Sequence, residues 1–92
     1  MSAIFQRPLC EMGRAYEYAF RAARPDPGVE LGGPCDDRPR AVELCASTAD
    51  PADPRATFRA FLLCPEHRNQ LERVDVSLRA TGRSSRFRSS PP

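Results

Sequence analysis

Tryptophan and lysine are absent, histidine occurs once, and the aromatic complement stops at five Phe and two Tyr in 92 residues. A chain this short buries a smaller share of its surface than a larger one, and with few aromatics and ten Pro its apolar core must be thin. One domain at most fits in this length, and something besides hydrophobic burial is needed to hold it. No apolar run approaches the length of a membrane span. No apolar leader stands between Met1 and Arg24, so the expected compartment is the reducing cytoplasm, where cysteines bind metal more often than they form disulfides. The absence of lysine makes all fourteen cations Arg, which a GC-rich coding sequence explains more simply than a binding specialisation. Four of them, Arg79, Arg83, Arg86 and Arg88, lie in a final stretch without acids, leaving ten Arg against twelve carboxylates, or −2, in the rest.

What the sequence does have is four Cys and the lone His67, and their placement follows from the local pattern. Ala60-Phe61-Leu62-Leu63 reads as a buried strand that leads into Cys64-Pro65-Glu66-His67. Pro65 suits the first position of a helix, where its missing N–H is not needed, and Glu66 puts negative charge at the positive helix end. His67, Leu71, Val74 and Leu78 then recur along one helical face, with Gly82 as the stop after a basic last turn. A lone His on an apolar face is ordinarily a core histidine. The Cys one turn before it favours a different reading, because C-x-x-H offers a thiolate and an imidazole to one tetrahedral ion.

Upstream, Met1 to Leu9 reads as an entry arm without clear periodicity. Gly13 to Ala23 fits a helical stripe through Met12, Tyr16, Ala19 and Ala23 as well as a strand-like alternation of Tyr16, Tyr18, Phe20 and Ala22. Arg24 to Gly28 is a turn signal, and Val29 to Leu31 can run back before Gly32-Gly33-Pro34-Cys35, which returns Cys35 towards Cys10 under either reading. Arg40 to Thr48 alternates as a half-buried strand, Ala49 to Pro54 is a polar loop, and Thr57 to Leu63 is the returning strand. After Gly82 the Arg/Ser/Pro composition predicts a disordered tail over residues 83–92, with residues 1–82 as the single domain.

This hairpin puts Cys35 and Cys64 at its open end, with His67 one turn into the helix. Cys45 lies well up the outgoing strand, too far to share an ion, and reads as a small buried hydrophobe. The expected ligands of a Zn2+ ion are therefore Cys10, Cys35, Cys64 and His67, a closed and structural set. Competing readings are disulfides, free buried thiols, or a register slip that exchanges Cys45 for Cys10 or Cys35. Asp36 and Asp37 lie close in sequence but, as hard oxygen groups in a turn, read as solvated or capping residues.

From Pro34 to about Leu78 the chain resembles treble-clef zinc fingers, on the strength of a hairpin followed by Cys64-x-x-His67 at a helix start. It departs from them where the first two ligands should form a compact knuckle. The fold class is accordingly a small α+β zinc-stapled domain, a β-hairpin followed by a helix, and the resemblance implies a scaffold that binds protein or nucleic acid. The expected role is a protein-binding module without enzymatic activity, since Cys64 and His67 lack a third orienting group and the chain leaves little room for a substrate cleft. The alternative is RNA or DNA binding through Arg83, Arg86, Phe87 and Arg88, a basic segment with an interleaved aromatic. A zinc–thiolate set can also act as a redox switch, although nothing in the sequence selects for it.

Overall fold

The computed structural model describes residues 10–22, 28, 30–35 and 38–88. The entry arm, most of the turn at 24–28, Asp36, Asp37 and residues 89–92 lie outside them. Helix α1 spans Met12–Ala19 and strand β1 spans Arg40–Cys45. Strand β2 covers Phe58–Leu63, helix α2 covers Pro65–Arg79, and a two-residue strand β3 covers Phe87–Arg88. The strands form one antiparallel sheet in the order β2-β1-β3.

Of the segment that the sequence left open between helix and strand, Gly13 to Ala19 lies in helix α1, Phe20 to Ala22 form a turn, and Ala23 is outside the described residues. Helical spacing brings Ala15 and Ala19 together on the buried side of α1, and the Phe20 N–H closes the last turn on the Tyr16 carbonyl. The aromatic alternation of Tyr16, Tyr18 and Phe20 serves a different end. Tyr16 and Phe20 pack one turn apart with centroids 6.5 Å from each other, while Tyr18 reaches Phe61 at 5.3 Å. Both ends of α1 are tied to the hairpin: Glu11 N–H donates to the Leu62 carbonyl, and Ser47 N–H donates to the Tyr18 carbonyl.

β1 and β2 pair in the register Val42 to Phe61 and Leu44 to Arg59. Val42, Leu44, Phe61 and Leu63 are buried on one face of the sheet, together with Ala15, Ala19, Phe20, Leu71 and Val74. Ala41 and Ala60 are exposed on the other. β1 ends at Cys45, shorter than its sequence pattern, because the chain turns at once. Ala49 N–H bonds back to Ala46, and Asp50 and Asp53 each accept the N–H two residues on, at 2.9 and 2.8 Å.

α2 begins at Pro65 as its sequence requires, and Gly82 takes φ +92°, a left-handed conformation that only Gly adopts without strain. Beyond it the structure departs from the expected disordered tail. Arg86 is 5% exposed, and Phe87 and Arg88 extend the sheet against Leu44 and Glu43. Composition alone reads this stretch as able to bury almost nothing except Phe87. The cause of its order is the 2% exposed Asp75 on α2, whose carboxylate accepts the Arg86 N–H and the Ser85 hydroxyl. Residues 85–88 therefore pack on the body instead of leaving it after Gly82.

Candidate metal centre

Three separate stretches of chain converge at the start of α2. Cys64 closes β2 in extended conformation and His67 lies one turn into the helix, so local geometry alone aims both at one point. Cys10 arrives along the free edge of β2. There Glu11 pairs with Leu62 twice, its N–H to the Leu62 carbonyl at 2.6 Å and its carboxylate to the Leu62 N–H at 2.9 Å. Cys35 arrives through the Gly32-Gly33 loop, whose φ angles of +110° and +89° require glycine.

The loop is clamped to α2 by Gln70, one turn beyond His67. Its side-chain amide accepts from the Gly32 N–H and donates to the Gly32 carbonyl, both at 2.8 Å. Neither Gln70 nor Glu11 was evident in the sequence, because each acts by pairing with a distant backbone group. The only sequence sign of the Gln70 contact is its position three residues after His67 on the helix face that must meet the loop.

The result is a set of three thiols and one imidazole whose ligand atoms all lie within 4.8 Å of one another. His67 Nδ1 is 3.2 Å from Cys10 Sγ, 3.2 Å from Cys64 Sγ and 3.5 Å from Cys35 Sγ. Zn–S bonds of about 2.3 Å and Zn–N bonds of about 2.0–2.1 Å at tetrahedral angles would separate S from N by about 3.6 Å. The cluster is thus close to the size of a tetrahedral coordination shell.

The histidine's second nitrogen supplies an independent indication. Nε2 lies 3.2 Å from the Gly33 carbonyl, which can only accept, so the ring proton sits on Nε2 and Nδ1 turns a lone pair towards the sulfurs. An outer carbonyl that fixes the tautomer in this way is the usual companion of a ligating histidine. The Cys64 N–H also points at Cys10 Sγ, 3.4 Å away, and the Cys64 sulfur stands at the positive end of α2. This group can hold a metal ion, and its soft donors favour zinc over calcium or magnesium.

Cys64 and His67 are buried, Cys10 is half-buried and Cys35 is exposed. Desolvation, followed by the Cys10 and Cys64 groups beside it, pushes the Cys35 thiol up to about 11. At neutral pH this thiol holds its proton until a cation displaces it. Metal affinity is therefore expected to rise with pH by about tenfold per unit from Cys35 alone, in competition titrations against a chromophoric chelator at about pH 6.5 and about 7.5. Replacing Gln70 with Ala frees the Gly32-Gly33 loop and should weaken metal binding by about 10–100-fold while the helix survives, as the same titration and circular dichroism would show.

All four cysteines are free thiols. Cys45 is fully buried and lies outside the cluster; burial pushes its thiol up, and it packs as the small hydrophobe its strand position implies. The proposed nucleic-acid residues do not form a common surface. The Arg86 guanidinium is spent on the carbonyls of Ala46, Ser47 and Ala49. Phe87 is half-buried with its ring 6.1 Å from that of Phe20, Arg88 lies 3.7 Å from Glu43, and Arg83 is exposed. Among the described residues no helix is long and apolar enough to cross a membrane. No family model, curated protein or solved structure matches the chain.

Proposed function

We propose that this chain is a structural-zinc binding module in which Cys10, Cys35, Cys64 and His67 bind Zn2+ as a closed four-ligand set. The observation that carries this reading is the placement of the His67 ring: Nε2 lies 3.2 Å from the Gly33 carbonyl, and Nδ1 faces three sulfurs at 3.2–3.5 Å. Three thiolates and an imidazole fill a tetrahedral shell, which leaves no position for a reactive water and assigns the ion to folding instead of hydrolysis. A thin core explains the need for it. The arrangement is treble-clef-like in its hairpin and α2, with the first ligand pair divided between the β2 edge and the glycine loop instead of joined in a knuckle.

On this reading the ion joins three segments and the finished surface recruits a partner, with no chemistry of its own. Native mass spectrometry under reducing conditions tests it. One retained zinc is expected, lost to a chelator, and still present in Cys45→Ser. A metal-free mass for the folded chain would remove the proposal.

A further inference from the structure

The helix that carries no metal ligand shapes a second surface. Between α1 and β2 lies a shallow groove of about 310 Å³ lined by Arg14, Glu17, Tyr18, Arg21, Arg59 and Phe61. Arg14, Tyr18 and Arg21 stand at helical spacing on one side, with Arg21 in the turn just after α1. Arg59 comes from β2 on the other. Its guanidinium lies 5.3 Å from the Phe61 ring centre and 6.0 Å from that of Tyr18.

Two features separate this groove from ordinary surface arginine. Among the described residues no carboxylate lies within ion-pair distance of Arg21 or Arg59, and Arg14 is 77% exposed with only a 3.6 Å approach to Glu11. A second arginine-lined cleft, beside Arg38, Arg40 and Arg68, differs here because Arg68 is taken by Glu72 at 2.9 Å. The Tyr18 and Phe61 rings also lie beside the Arg59 guanidinium at cation–π distance. A guanidinium so placed can offer a face to a planar group and its edge for bidentate bonds to an anion.

We infer that this groove binds single-stranded nucleic acid: Arg14, Arg21 and Arg59 contact successive phosphates, and one unpaired base stacks on the Arg59–Tyr18 platform. The inference rests on the binding-module reading and names its partner. Phosphate contact alone would accept any polyanion, but the stacked platform needs a base free of a duplex. Glu17, the one carboxylate lining the groove, leaves three positive charges against one.

Fluorescence anisotropy of the full metal-loaded chain with a labelled mixed-sequence RNA or DNA strand of about 12 nucleotides tests this. Three phosphate contacts on a single strand predict a salt slope of about −2, so affinity should fall about twentyfold between about 50 and about 200 mM salt. Arg59→Ser and Arg21→Ser, both surface changes, should each weaken binding several-fold and flatten the slope by about 0.7. Arg59→Lys should restore the slope but not the preference for single strand over duplex, and Arg83→Ser should change nothing. RNA and DNA binding equally well would support contacts to phosphate and base alone. Absence of binding at low salt, binding that follows Arg83 and ignores the groove, or equal affinity for duplex would each overturn the inference. The zinc stoichiometry and circular dichroism of the same samples show whether the metal reading stands independently of that result.

Discussion

Stripped of zinc by a chelator under reducing conditions, the chain is expected to lose most of its helical circular dichroism in one transition and to regain it on addition of one equivalent of metal. The size of the effect follows from what would be left. α1 has eight residues, fewer than the about 12–15 at which an isolated helix becomes even marginal in water. Its buried contribution is Ala15, Ala19 and Phe20. Structural zinc contributes an apparent ~10–16 kcal/mol to small domains at neutral pH, which equals or exceeds the whole stability of a typical one at ~5–15 kcal/mol.

The single-ligand variants should be graded by burial. Cys64→Ser and His67→Ala remove buried donors at the point where strand meets helix and should abolish tight binding. Cys10→Ser should behave similarly, because its sulfur also meets the Cys64 N–H and His67. Cys35→Ser, at the exposed corner, should bind more weakly but still fold when zinc is in excess. A metal-free chain that keeps its signal, or four variants that bind zinc as tightly as the parent, would show the cluster to be four core side chains that happen to meet.

The half of this site that could be read from sequence was the half set by short-range geometry. A Cys at a strand end, a Pro at the first helical position and a His one turn later leave little freedom, so Cys64 and His67 were fixed before any tertiary contact was known. Hairpin topology then placed Cys35 at the same end and Cys45 away from it, because strand residues advance too far per step for both to reach one point. The clamps were hidden for the opposite reason. Gln70 and Glu11 are polar side chains that pair with backbone groups 38 and 51 residues away, and no composition or period marks such a partner. Helix α1 was ambiguous because its aromatics are used on two sides, Phe20 inwards against Phe87 and Tyr18 outwards against Phe61 and Arg59. The misreading of residues 85–88 has the same root. An Arg/Ser stretch has the composition of a disordered tail, and what orders it is one buried acid on another element.

That acid carries the second large prediction: Asp75→Ala should destabilise the zinc-loaded protein by about 3 kcal/mol and release β3 without disturbing the metal. The Asp75 carboxylate is 2% exposed and makes three contacts. It accepts from the Arg86 N–H at 2.7 Å and the Ser85 hydroxyl at 2.9 Å, and it meets the Arg79 side chain at 3.0 Å. Alanine would leave the Arg86 N–H buried and unmatched, and each such orphan costs about 1–3 kcal/mol. The Arg79 contact adds less, since that side chain is 46% exposed and screened by water. Once Arg86 loosens, its guanidinium no longer ties the Ala46, Ser47 and Ala49 carbonyls, and the Cys45 N–H loses the Arg86 carbonyl 2.9 Å away. Amide exchange at Cys45 should therefore accelerate in Asp75→Ala, trypsin should cut after Arg86, and the melting temperature should fall by more than about 10 °C at fixed zinc. Asp75→Asn, which keeps the shape and one acceptor, should fall between the two. Unchanged exchange at Cys45 would mean that β3 is held by its Phe87 packing on Phe20 and that the carboxylate is incidental. Slow exchange in the parent, lost in the variant, would explain why an arginine that looks free in the sequence is the most enclosed cation in the described structure.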